Sequence, residues 1–225
     1  MISKESLKFL TDIKKNNNRE WFLSNKTRYD KYKAEYHRVI SEFLAEMVPL
    51  DSSLKNLEVK DCAFRINRDI RFSKDKRPYK TNMAIWMSAG QKNTNLAGYY
   101  IHIEPGASFI AGGVYWPDAA DLKKIRNEIA YFHEDLEQIV SDKNFQKEFG
   151  NLDADETNSL KTAPKGFEKD HPAIHFLKLK CVTATHKIED KLLSDKDLVK
   201  IIARKLVALK PLNEFLNRAL TTEES

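Results

Sequence analysis

Apolar residues near both ends of the chain recur every three or four positions, which is the spacing of an amphipathic helix. This pattern predicts helices over 3–15, 27–47, 118–140 and 195–209. Residues that favour helix N-caps stand where three helices should begin, at Asn18, Asp118 and Ser194. Pro211 should end the last long helix, with a further turn or two over 212–220.

The middle of the chain has a different period. From about 57 to 115 apolar and polar residues alternate, as in strands with one buried face. The alternation predicts strands over 64–72, 81–88, 99–104 and 108–115, and another over 177–183. Short connections make neighbouring strands antiparallel. We therefore expect an α+β fold, in which an antiparallel meander is packed by amphipathic helices from both ends and keeps one face partly open.

Composition favours one domain over residues 1–225. The chain is 41% hydrophobic, and no Pro/Gly/Ser-rich linker divides it. It lacks the apolar stretch of a secretory signal and any apolar run of the ~20 residues that span a bilayer, so we expect a cytoplasmic protein without a membrane partner. Cys62 and Cys181 lie in apolar surroundings and should be reduced, buried thiols.

Positive charge is concentrated at residues 64–80, F-R-I-N-R-D-I-R-F-S-K-D-K-R-P-Y-K, which we name the basic segment. It carries seven basic and two acidic residues, and its net charge of +5 equals that of the whole chain. Its basic residues are Arg65, Arg68, Arg71, Lys74, Lys76, Arg77 and Lys80. Such a local excess indicates a binding site for an anion.

The pattern inside the basic segment predicts a strand followed by a loop. Arg68 falls on the apolar face of the strand, so it is either held by a carboxylate or re-aimed by a bulge. Polar residues over 73–77 and then Pro78 predict the loop. Asp69 and Asp75 support an alternative interpretation, in which they pair with neighbouring basic side chains and only stiffen that loop.

The same residues resemble a known family. The run F-R-I-x-R-D-x-R-F-S-x-D-K-x-P-Y-K-T is similar to the hallmark of a widespread, mainly bacterial family described as a conserved domain of unknown function. L-K-F-L-x-D-I-K-K-N-N-N-R-E-W-F near the start, A-G-G-V-Y-W-P at 111–117 and P-K-G-F-E-K-D-H-P at 164–172 extend the resemblance over nearly the whole chain. It implies no established activity, substrate or catalytic residue.

Common catalytic motifs are absent. The chain has no G-x-G-x-x-G, Walker-type lysine loop, G-x-S-x-G or C-x-x-C, so we expect no cofactor. His171 and His175 have i, i+4 spacing, but Pro172 lies between them and no cysteine is near, so we expect no metal. His171 is the preferred acid/base candidate, although a capped turn also explains the D-H-P run.

Three functions remain open: a binding module for a phosphate-bearing or other anionic small ligand, an enzyme acting on a phosphorylated or nucleotide-type substrate, and an interaction protein with an ion-paired core. We favour the binding module. Its predicted anion-binding residues are Arg65, Arg68, Arg71, Lys74, Lys76, Tyr79 and Lys80, with Asp69, Asp75, Trp116 and His171 as supporting residues. Nucleic acid is less favoured than a phosphorylated metabolite or nucleotide because charge elsewhere is balanced.

Overall fold

The N-terminal part of the computed structural model, which describes residues 1–89 and 95–222, is helical. Its helices are α1 (Lys4–Lys15), α2 (Arg19–Ser24), α3 (Lys26–Met47) and the short α4 (Val59–Cys62). The side chain of Ser3 caps α1 by accepting from the Ser6 amide, and that of Asn18 caps α2 by accepting from the Trp21 amide. The predicted helices over 3–15 and 27–47 and the Asn18 cap are confirmed.

The described strands form one antiparallel sheet. They are β1 (Met83–Ser88), β2 (Gly98–Ile103), β3 (Phe109–Val114) and β4 (Val182–Lys187), in the order β1-β2-β3-β4. This order is the predicted meander, and it confirms the α+β fold class. The residues between β1 and β2 include 90–94, which lie outside the described residues.

Burial alternates along the second strand, whereas most residues of the first are buried on both faces. Met83, Ile85 and Ile101 are completely buried. Tyr100 and His102, which flank Ile101, are only half-buried. Because successive side chains point to opposite faces of a sheet, one face of β2 belongs to the core and the other is partly open, as predicted.

The remaining helices follow the third strand. They are α5 (Ala119–Tyr131), α6 (His133–Ser141), α7 (Lys143–Phe149), α8 (Ile174–Leu177), α9 (Asp190–Leu193), α10 (Leu198–Leu206) and α11 (Lys210–Thr221). Asp118 caps α5 by accepting from the Asp121 amide, as predicted. The predicted helix over 118–140 is divided, because the backbone of Phe132 (φ −126°, ψ 41°) leaves the helical region.

Two predictions about the last helices are wrong. Pro211 does not end a helix but lies in the first turn of α11, where a residue without an N–H costs no helical hydrogen bond. A 3₁₀ turn over Val207–Leu209 links α10 to α11. Ser194 is the C-cap residue of α9, so it does not cap the helix that follows.

Two predicted strands also need correction. Residues 57–80 form no strand: α4 occupies part of this range, and the basic segment contributes only an isolated bridge between Asn67 and Tyr79. The strand expected over 177–183 begins at Val182, because the carbonyl of Ala173 accepts hydrogen bonds from the Phe176 and Leu177 amides and turns the chain into α8.

Contacts divide the chain into two compact units. The first comprises Met1–Met87, Tyr100–Ile110 and Lys187–Arg204, and the second comprises Ser88–Tyr99, Ala111–His186 and Lys205–Ser225. Each has its own buried apolar residues, such as Phe43 in the first and Ile129 in the second. The single domain stays a prediction. None of the described helices is long and apolar enough to cross a membrane.

Candidate functional site

The basic segment folds back on itself within the first unit. The Arg68 amide donates to the Pro78 carbonyl and the Lys80 amide to the Ile66 carbonyl, each at 2.8 Å. Residues 73–77 between these arms form the predicted loop. The segment is therefore an irregular hairpin, in which residues 66–68 and 78–80 are the paired arms and the residues between them form the closed end.

Three of its arginines are paired inside the hairpin. Arg71 bonds Asp69 at 2.7 Å, and Asp75 accepts from Arg77 at 2.7 Å and from Arg68 at 2.9 Å. Hydrogen bonds from Arg77 hold the pKa of Asp75 well below its ordinary value, and those from Arg71 lower the pKa of Asp69. Arg68 is half-buried and held by a carboxylate, as predicted. For these arginines the geometry matches the loop-stiffening interpretation.

The other predicted residues have different surroundings, and Lys74 is exposed. Lys76 donates to the Ile70 carbonyl at 3.0 Å. The ring of Tyr79 is buried and stacks on Phe22 with the ring centroids 4.2 Å apart, so it does not lie on an open surface. Arg65 and Lys80, in contrast, line a cavity.

This cavity has a volume of about 310 Å³ and lies within the first unit. We name it the cationic cavity. Four cationic side chains line it: Lys33, Lys60, Arg65 and Lys80. Its other lining residues are Tyr29, Tyr32, Tyr36, His37, Ala63, Phe64, Ile66, Asn67, Asn82 and Ala84. No aspartate or glutamate of the described residues is among them.

Helix α3 supplies one wall of the cationic cavity. Tyr29, Lys33 and His37 follow one another at intervals of four residues, which places them on the same helix face. Tyr36, one position before His37, donates its hydroxyl to the Ala84 carbonyl and accepts from the Phe64 amide at 2.8 Å. This hydroxyl fixes α3 to the outer edge of β1 and to the start of the basic segment.

The cations of the cavity have different partners. Lys60 pairs with Glu58 at 2.8 Å, and the ammonium of Lys80 lies 4.7 Å from the Phe64 ring centroid. Lys33 and Arg65 are exposed and form no ion pair with any described carboxylate. Burial, together with the charge of Lys33, lowers the pKa of His37, so its imidazole is neutral at neutral pH. The positive charge facing the cavity therefore comes from lysine and arginine.

A chain of polar side chains lies on the partly open face of β2. The Tyr100 hydroxyl is 3.1 Å from His102 Nδ1, and His102 Nε2 is 3.2 Å from Glu104 Oε2. Glu104 Oε1 accepts from Thr81 and pairs with Lys14, each at 3.0 Å. Burial raises the pKa of Glu104, but the hydrogen bond from Lys14, with those of His102 and Thr81, outweighs it and keeps the carboxyl ionised.

The sequence alone did not indicate two sets of residues that the structure brings to these places. Lys33, His37 and Lys60 lie outside the basic segment. The spacing of Lys33 and His37 on α3 was an available signal, whereas Lys60 lies on α4. For Tyr100, His102 and Glu104 the signal was alternation, since residues at i, i+2 and i+4 of a strand share one face.

Trp116 and His171 belong to the second unit. Trp116 is 54% exposed, has a positive φ of 46° and donates its amide to Cys181 Sγ at 3.2 Å. His171 Nδ1 accepts from the Ala173 amide at 3.1 Å, which agrees with a capped turn. Cys62 and Cys181 are buried and form no disulfide. Within 1–89 and 95–222 no group of three or more His, Cys, Asp or Glu side chains could hold a metal ion.

Comparison with known proteins identifies a family. The model of a family described as "Conserved hypothetical protein (DUF2461)" matches residues 5–215. No curated protein and no solved structure matches the chain.

Proposed function

The chain belongs to the DUF2461 family of conserved hypothetical proteins, a description that names no activity. We propose from the geometry of the site that the protein binds a small, phosphate-bearing anion in the cationic cavity. The observation that carries the proposal is the lining of this cavity by Lys33, Lys60, Arg65 and Lys80 with no carboxylate among the described lining residues. A concave site lined by one sign of charge concentrates ligands of the opposite sign.

The ligand should be compact. The cavity of about 310 Å³ is at the small end of the range for small-molecule sites. An extended nucleic acid needs a longer basic stripe, whereas Arg71 and Arg77 of the basic segment are already paired with aspartates. A phosphorylated metabolite or a mononucleotide fits this cavity better than a polymer, and we propose the cytoplasm as its compartment.

Arg65 should supply directional hydrogen bonds to the phosphate, and Lys33 should supply a compact positive charge. Both are exposed and form no ion pair with a described carboxylate, so a phosphate does not need to displace a protein partner. A guanidinium binds two phosphate oxygens at once, whereas an ammonium contributes a compact charge. The aromatic rings of Tyr29 and Phe64 offer apolar surface to the rest of the ligand.

The test is calorimetric titration of the purified protein with inorganic phosphate, pyrophosphate and adenosine monophosphate at low and high salt. We expect Arg65→Ala and Lys33→Ala each to weaken binding by about 10- to 100-fold, because a hydrogen bond to a charged group contributes ~1.5–3 kcal/mol. High salt should weaken wild-type binding. Lys55→Ala removes an exposed lysine that does not line the cavity, and it should leave binding unchanged.

Lys74→Ala separates the cavity from the loop of the basic segment. Lys74 is exposed and is not among the residues that line the cavity. If Lys74→Ala weakens binding as much as Arg65→Ala, the anion lies on the loop and the cavity is not its site. If none of the three anions binds at low salt, the binding function is wrong and the ion-paired structural role of the basic segment remains.

A further inference from the structure

His37 lines the cationic cavity beside Lys33. It follows Lys33 by four residues on α3, so the two side chains are neighbours on one face of this helix. His37 is exposed, and neither ring nitrogen forms a hydrogen bond or an ion pair with a described residue. Its ring lies against that of Tyr36, with the centroids 5.8 Å apart. Both ring nitrogens are therefore open to a ligand that Lys33 also reaches.

Other histidines of the chain use a ring nitrogen within the protein. His171 Nδ1 accepts from the Ala173 amide at 3.1 Å. His186 Nδ1 donates to the Glu148 carbonyl, which is only an acceptor. Protonation of His171 would break its internal hydrogen bond. Protonation of His37 breaks none with a described residue, so its charge can change without a loss of protein contacts.

The cavity surrounds His37 with cations and neutral phenols. The titratable and charged groups that line it with His37 are Tyr29, Tyr32, Lys33, Tyr36, Lys60, Arg65 and Lys80. Burial raises the pKa of all three tyrosines, so they stay uncharged near neutral pH. At the start of β1 the lining residues are Asn82 and Ala84, which do not titrate. Glu58, which pairs with Lys60, is not among the lining residues.

We propose that His37 is a proton-dependent binding residue of the cationic cavity: the phosphate-bearing anion binds together with one proton, which His37 takes up. This inference rests on the proposed binding function and adds a regulation by pH to the same site. The proton comes from solvent and forms a bond to the free ring nitrogen. An imidazolium donates from both nitrogens. His37 thus becomes a further cation beside Lys33, Lys60, Arg65 and Lys80, and it donates to a phosphate oxygen.

Linkage between the anion and the proton fixes the direction of the pH dependence. Without an anion, partial burial and the charge of Lys33 lower the pKa of His37. A bound anion adds negative charge beside the imidazole and raises this pKa. Affinity is therefore low above the pKa of the complex, and it rises as the pH falls towards the pKa of the ligand-free protein.

Calorimetric titration with sulfate tests the proposal. Sulfate stays doubly charged in this pH range, whereas a phosphate monoester has a second pKa of about 6 that would overlap with the titration of histidine. Because a hydrogen bond to a charged group adds to affinity, wild-type affinity should rise about 10- to 100-fold from about pH 8 to about pH 5. Low salt keeps the attraction between the anion and the exposed cations strong.

Variants assign the pH dependence to one side chain. His37→Gln should remove the rise and should bind at every pH about as the wild type does at the higher pH. His37→Lys carries a permanent charge, so its affinity should be high and nearly independent of pH. His175→Gln is the matched control, because it alters an exposed histidine of the second unit and should keep the wild-type rise.

Two further readouts follow the proton itself. Calorimetry at neutral pH in buffers of different ionisation enthalpy should show uptake of up to about one proton per sulfate by the wild type, and none by His37→Gln. Nitrogen NMR should show a higher pKa for His37 in the sulfate-saturated protein than in the ligand-free protein, whereas the pKa of His175 should not move. An unchanged pKa of His37 at saturation would overturn its contact with the anion.

The outcomes distinguish this proposal from the binding function. Sulfate binding that needs Arg65 but has the same affinity at both pH values overturns proton uptake and leaves the binding function standing. An equal rise in His37→Gln and wild type assigns the proton to another group and overturns the role of His37. A rise that disappears in His37→Gln supports the proposal. If sulfate, inorganic phosphate and adenosine monophosphate all fail to bind at either pH, both proposals are overturned.

Discussion

Removal of the Tyr36 hydroxyl tests how α3 is fixed to the sheet. Tyr36→Phe keeps the buried ring and deletes one oxygen that donates to the Ala84 carbonyl and accepts from the Phe64 amide. Each partner then loses a hydrogen bond in a protein interior. Because an unsatisfied buried polar group costs ~1–3 kcal/mol and water can reach the half-buried Phe64, we expect a loss of about 2–4 kcal/mol in the free energy of unfolding.

The assay is equilibrium unfolding in urea, monitored by far-UV circular dichroism. Tyr131→Phe is the matched control: Tyr131 is 80% exposed, so its free energy of unfolding should change by no more than about 0.5 kcal/mol. Tyr32→Phe should fall between the two, because the Tyr32 hydroxyl is 3.4 Å from the Asn82 carbonyl, a long hydrogen bond. A loss below about 1 kcal/mol for Tyr36→Phe would refute the reasoning.

Two further predictions concern stability. Gly113→Ala should lower the free energy of unfolding by about 3 kcal/mol or more in urea denaturation, since φ is +111° and the new Cβ would lie 2.0 Å from the Val182 carbonyl oxygen. Gly150→Ala, with φ +71° and no atom within 4 Å, should cost only ~1–2 kcal/mol, and equal losses would contradict the steric argument. Burial raises the pKa of Glu35, but hydrogen bonds from Ser3, Ser6 and Arg38 outweigh burial and lower this pKa. The contribution of Glu35 to the free energy of unfolding is therefore present above the unfolded pKa of about 4.3. It disappears as the pH falls through the lower pKa of the folded state. Urea midpoints of wild type and Glu35→Gln should therefore converge in acid, and a constant difference across pH would contradict this sign.

The regular elements were predictable because each has a strong pattern. Helix α3 has a continuous apolar face that includes Tyr32, Tyr36 and Phe43, and all three are buried. Strand β2 alternates between buried and half-buried residues from Tyr99 to Ile103, and a short connection joins it to β3. In these stretches the local preference and the tertiary packing agree, so periodicity alone locates the element.

The strand predicted over 64–72 does not form, and the reason lies in local hydrogen bonds of the basic segment. Residues 64–71 alternate in burial, and Phe72 breaks the alternation because it is exposed. Asp69 accepts a hydrogen bond from the Arg71 amide, and Asp75 accepts one from the Arg77 amide. Aspartate side chains that bond the backbone two residues on favour turns over ladder pairing. A period of two indicates which side chains face inward. It does not show that the amides of Arg71 and Arg77 already donate to aspartate side chains and are not paired with a neighbouring strand.

The candidate site was predictable only in part. Charge counting located Arg65 and Lys80, but it gave equal weight to Arg71 and Arg77, which are paired with aspartates. The contributions of Lys33 and Lys60 could not be counted with them, because these residues reach the cavity only once α3 and α4 have packed together. Proximity in three dimensions decides which charges act jointly.

Asn17 makes a two-point contact with the basic segment whose consequence concerns the order of assembly. Its amide nitrogen donates to the Tyr79 carbonyl at 2.9 Å and its amide oxygen accepts from the Tyr79 amide at 3.0 Å, as a neighbouring strand residue would. These partners are 62 residues apart in the chain. Closing so long a loop has a larger entropy cost than closing the shorter hairpin of the basic segment. Local hydrogen bonds with Ile66 and Arg68 set the register of this arm, but its contact with Asn17 forms only when the asparagine turn between α1 and α2 lies against it. We therefore expect this wall of the cationic cavity to reach its final form late relative to the helices that frame it.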